Sequence, residues 1–106
     1  MTLEETIYIS SLYNIYGKLL TDKQQQIFEN YVFENLSLAE VAENVGISRQ
    51  AVLDCVNKCC TILNKYEESL GICKSNEKVK EILLEAKQNL TNEKLIKKIN
   101  DLLTNI

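Results

Sequence analysis

An all-α fold of about six helices is predicted by three features of the 106-residue chain. The sequence has no proline and only three glycines, Gly17, Gly46 and Gly71, so few positions can break a helix. Reciprocal capping boxes, in which a Ser or Thr side chain and a Glu or Gln three residues later satisfy each other's backbone N–H, recur at Thr2/Glu5, Thr21/Gln24 and Ser37/Glu40. Apolar residues then return at three- and four-residue spacing along most of the chain.

Each element follows from those signals. The box at Thr2 opens a first helix over about residues 3–19, with Ile7, Tyr8, Leu12, Ile15, Tyr16 and Leu19 as its apolar stripe. The box at Thr21 opens a second over about 22–34, striped by Ile27, Phe28, Tyr31 and Val32. Ser37 opens a short third helix, Leu38 to Asn44. A fourth begins after Ser48 and meets no stop until Gly71, a left-handed C-cap. Along it Val52, Val56, Cys59, Leu63, Tyr66 and Leu70 form a ladder that must pack on the first helix or on the tail. Ser75 or Asn76 can cap a fifth helix presenting Val79, Ile82, Leu83, Ala86 and Leu90. Thr91 or Asn92 restarts the chain as a sixth, with Leu95, Ile99, Leu102, Leu103 and Ile106 apolar. The organisation is a domain over 1–70 and a helical hairpin over 71–106, which buries its stripes on that domain or in a dimer; a homodimer is expected, because the apolar ladders on helices four to six exceed what one short motif needs.

Residues 38–57, LAEVAENVGISRQAVLDCVN, have the pattern of a helix-turn-helix without a β wing. Ala42 is small where two helices must cross closely. Gly46 can take the positive φ of a tight turn. Ile47 points inward, and Ser48 caps the following helix. Val41, Val45, Ile47, Val52 and Cys55 are apolar at offsets that let the two helices share one core.

Net charge is −3, unevenly spread: residues 1–73 carry five basic and ten acidic side chains, residues 74–106 seven lysines and five acids. A DNA reader concentrates positive charge around its recognition helix. Here the motif lies in the acidic part. No apolar run approaches the ~20 residues that span a bilayer, and the acidic start MTLEETIYIS lacks the basic lead of an export signal. The expectation is a cytoplasmic protein without membrane insertion. Cys55, Cys59, Cys60 and Cys73 have neither C-x-x-C spacing nor any histidine beside them, so they read as small buried residues and not as a metal or redox site. The scattered acids and isolated glycines offer no paired carboxylates and no phosphate-cradling loop. Neither an enzyme nor a cofactor is expected.

The segment LLTDKQQQIFENYVFENLSLAEVAENVGISRQAV resembles the YlxM family of small bacterial helix-turn-helix proteins. The shared pieces are LLT-x-KQ at Leu19 to Gln24, the aromatic-rich second helix, SL-x-E-x-A at Ser37 to Ala42 and SRQAV at Ser48 to Val52. The run from Asp54 to Tyr66 and Glu67 fits as well, and the motif is more distantly similar to region four of bacterial sigma factors. The resemblance implies an accessory or regulatory role in the signal recognition particle pathway of protein targeting. The chain departs from the family at Leu53, where an aromatic is usual, and around Asn57, Lys58 and Cys59, where basic residues are usual.

The outward face of the recognition helix should consist of Ser48, Arg49, Gln50, Leu53, Asp54, Asn57 and Lys58. Arg49 could grip guanine or phosphate and Gln50 suits adenine, while the helix N-terminus at Ser48 could hold a phosphate. Asp54 repels the DNA backbone, and Leu53 fits a protein or a thymine methyl. Two classes of partner stay open: the targeting particle's GTPase or its RNA, and duplex DNA.

Overall fold

The computed structural model describes residues 1–106 and consists of helices and turns without a strand. It comprises two compact units, Met1–Leu70 and Gly71–Ile106.

In the first unit, α1 (Leu3–Tyr16), α2 (Asp22–Phe28) and α3 (Leu38–Val45) each begin at one of the three capping boxes, with both bonds of every box formed. The fourth helix, α4 (Arg49–Leu70), contacts all three. One cluster joins Ile27 of α2, Val41 and Ala42 of α3, and Val52 and Val56 of α4, with Val45, Ile47 and Cys55 packed against it. Further along α4, Cys59 and Leu63 are fully buried. The Tyr16 hydroxyl donates to Glu67 Oε1 at 2.7 Å, and its ring stacks on Tyr66 at 5.8 Å. Of the two supports open to the α4 ladder, α1 is therefore one in fact.

Two helix ends differ from the sequence expectation, and aromatic packing accounts for both. The first helix stops at Tyr16 and tightens into a 3₁₀ turn, Gly17–Leu19. Gly17 lies so close to the Tyr13 ring that a Cβ there would come within 2.9 Å of three ring atoms. The tightened turn brings Leu20 inward and leaves Leu19 60% exposed. Upstream, the buried residues are Ile9, Leu12 and Tyr16, while Ile7 and Tyr8 lie outward. The second helix ends at Phe28 and widens into a π turn, Glu29–Phe33, in which the Glu34 N–H donates to the Glu29 carbonyl at 3.0 Å. Residues five apart lie on nearly opposite faces of an α-helix, but a five-residue hydrogen-bonded turn realigns them. Phe33 thereby reaches Phe28 edge-on at 5.8 Å, and Tyr13 stacks on Phe28 at 4.5 Å. Asn35, at φ 54°, closes the turn in the left-handed region that Asn tolerates.

The second unit is a helical hairpin of α5 (Ile72–Gln88) and α6 (Glu93–Thr104). The predicted cap at Ser75 or Asn76 is corrected. Gly71 takes φ 63° and its carbonyl accepts from the Ser75 N–H at 3.0 Å, so Ser75 already lies in the first helical turn. Asn92 caps α6 by accepting from the Leu95 N–H at 3.2 Å. No helix is long and apolar enough to cross a membrane.

Candidate helix-turn-helix interface

The motif is built from the backbone outward. Gly46 ends α3 at φ 77°, and its N–H and that of Ile47 both donate to the Ala42 carbonyl, at 2.9 and 3.1 Å. A Cβ on Gly46 would meet nothing within 4 Å, so glycine is required there by the backbone angle and not by crowding. Ser48 Oγ accepts from the Ala51 N–H at 3.0 Å, satisfying one open donor at the start of α4. Val52 and Val56, fully buried, then fix the rotation of α4.

That rotation sets the opposite surface. Ser48, Arg49, Gln50, Asp54, Asn57 and Lys58 are exposed, and Leu53 among them is half-buried. The seven residues named from the sequence thus share one side of α4. Gln50, Asp54 and Asn57 form the central stripe; Arg49 and Leu53 flank it on one side and Lys58 on the other.

Sequence reasoning missed the pairing at the middle of this stripe. Gln50 Nε2 donates to Asp54 Oδ1 at 2.9 Å. Bidentate recognition of adenine needs an amide N–H and the amide oxygen of a glutamine; here one of the two amide hydrogens is held by Asp54, which fixes how the amide is turned. The i, i+4 spacing of the two residues carried that signal. Leu53, expected to be exposed, is the other adjustment: its stem is partly covered, leaving an apolar edge between Arg49 and Asn57.

None of the four cysteines is among these seven residues. Cys59 is buried, and burial, followed by the neighbouring Cys55, pushes its thiol up to about 12. Burial also raises Cys60. A thiol that stays protonated at neutral pH is a poor nucleophile and a poor metal ligand. A cleft of about 440 Å³ beside the π turn, lined in part by Tyr31, Val32, Leu36 and Leu38, shares no residue with the face.

The family model described as helix-turn-helix protein, YlxM / p13 like, matches residues 3–103. The chain belongs to this family, UPF0122. A UPF0122 protein of Fusobacterium nucleatum is 35% identical over 103 residues, covering 97% of this chain and all of the relative. One from Mycoplasma capricolum is 39% identical over 92 residues, 87% of this chain and 81% of the relative. A Clostridium kluyveri relative reaches 42% over 79 residues, 74% and 71% of the two chains. UPF0122 is described as a family of helix-turn-helix proteins. The match extends past the motif into the hairpin, so both units are part of the UPF0122 pattern.

Proposed function

We propose that this UPF0122 protein is a cytoplasmic accessory regulator in the signal recognition particle pathway, binding that particle's GTPase or its RNA through the exposed side of α4. The Gln50–Asp54 pair at the centre of the face carries the reading. A carboxylate held there by its own neighbour repels a phosphate backbone, and the surrounding residues 1–73 hold twice as many acids as bases. Arg49, Leu53, Asn57 and Lys58 instead offer the mixture of cation, apolar edge and amide that suits a protein surface, and because RNA carries the same phosphates as DNA, the GTPase is favoured over the RNA.

DNA binding is the second reading, favoured by Arg49, exposed beside the Ser48 cap at the start of α4. Groove-reading helices present their N-terminal residues to base edges in this way.

One titration separates the two. The full chain is assayed against the particle GTPase, the particle RNA and duplex DNA at rising salt. Leu53→Asp should abolish retention on the GTPase or RNA. If duplex DNA alone binds, weakening by about one power of salt concentration per phosphate neutralised and disappearing with Arg49→Ala, the targeting role is wrong and the DNA reading stands.

A further inference from the structure

The hairpin leaves part of its apolar surface open. Ile99 is buried on α6, with Ile96 and Leu103 half-buried, and Leu83 and Ala86 are half-buried on α5; these mark the two inward stripes. Ile82, Leu95 and Leu102 are 65%, 42% and 48% exposed. At ~100° per residue, each is rotated by roughly 70–90° from the centre of its own stripe, in the same sense. In an antiparallel pair, equal senses of rotation bring side chains to the same side. The three residues therefore form one apolar face spanning both helices.

We propose that a second copy of the same hairpin covers this face, α5 of one copy lying antiparallel on α6 of the other. Charge selects that occupant. Beyond the apolar face, the outer edge of α5 carries Lys78, Glu81 and Glu85, and the outer edge of α6 carries Lys94, Lys98 and Asp101, all exposed. These edges are the two far sides of one hairpin and cannot meet each other within it. Across copies they match at each level: Glu85 and Glu81 meet Lys94 and Lys98, and Lys78 meets Asp101. A two-fold axis parallel to the helices makes this contact twice and yields a four-helix bundle around Ile82, Leu95 and Leu102. An apolar centre with complementary charged rims is the ordinary anatomy of a specific interface.

The inference is independent of which ligand α4 binds. Sedimentation equilibrium of the full chain at tens of micromolar should show a dimer. Lys94→Glu with Lys98→Glu should weaken it by about tenfold or more at low salt. Adding Glu81→Lys with Glu85→Lys should restore it, with helical ellipticity unchanged throughout. A monomeric native chain overturns the proposal, and so does a dimer indifferent to the lysine reversal. Loss without restoration rules out the pairing of α5 with α6.

Discussion

The helix-turn-helix unit and the hairpin are built from similar amphipathic helices, yet they close their cores differently. In the first unit four helices converge, and Leu12, Phe28, Val41, Val52 and Leu63 are wholly buried. Local helix geometry gives way there: a 3₁₀ turn and a π turn interrupt the chain where Gly17 and Phe33 meet the Tyr13 and Phe28 rings. In the hairpin both helices run without such interruption, and Ile99 and Cys73 are its only apolar side chains buried beyond nine-tenths. Packing shapes the backbone only where enough helices converge. Where two helices must suffice, local propensity prevails and apolar surface stays open.

Substitutions can break this contrast. Leu63→Ala should cost the first unit about 3–5 kcal/mol, the range for a large side chain lost from a closed core. Ile82→Ala, at a concentration that keeps the chain monomeric, should cost less than about 0.5 kcal/mol. Urea unfolding of the two variants measures both, and comparable losses would abolish the distinction. Gly17→Ala should come next, at about 1–3 kcal/mol, because the new methyl displaces a Tyr13 ring held by its stack on Phe28. The same assay reads it; a neutral result would mean that the ring yields freely.

Alkaline pH sharpens the comparison from a different side. Burial, reinforced by a hydrogen bond to Glu29, raises Tyr13 from 10.0 to about 12, and burial raises Cys59 from 9.0 to about 12. Both groups ionise in the unfolded chain before they ionise in the folded one. Their contribution is fully present below pH 9 and is lost progressively as pH rises toward 12. The urea midpoint of the first unit should therefore fall across that window, with a shallower slope in Cys59→Ala. Parallel slopes would remove Cys59 from the account.

Much of this was legible beforehand. The three capping boxes marked the starts of α1, α2 and α3 because capping is local chemistry between residues three apart. Gly46 and Ser48 marked the turn and the start of α4 for the same reason. The ends of the first two helices were not legible, since they depend on rings distant in sequence: Tyr13 on Gly17, Phe28 and Phe33. At the interface, the periodicity of α4 assigned seven residues to one side, and Val52 and Val56 then fixed that side outward. The Gln50–Asp54 bond was within reach of helical spacing, since residues four apart are neighbours on a helix surface. The depth of Leu53 was beyond reach, because it depends on how closely the neighbouring elements approach α4.

The Tyr16–Glu67 hydrogen bond has a practical consequence. The chain has no tryptophan, and its five tyrosines, at positions 8, 13, 16, 31 and 66, all fall within the first unit. Intrinsic fluorescence therefore observes one half of the molecule alone, while far-ultraviolet ellipticity sums over both. A phenol bonded to a carboxylate emits weakly, so release of Tyr16 on unfolding should brighten the signal. Recorded together, the two signals would show whether the hairpin melts with its neighbour or on its own, without any label being attached.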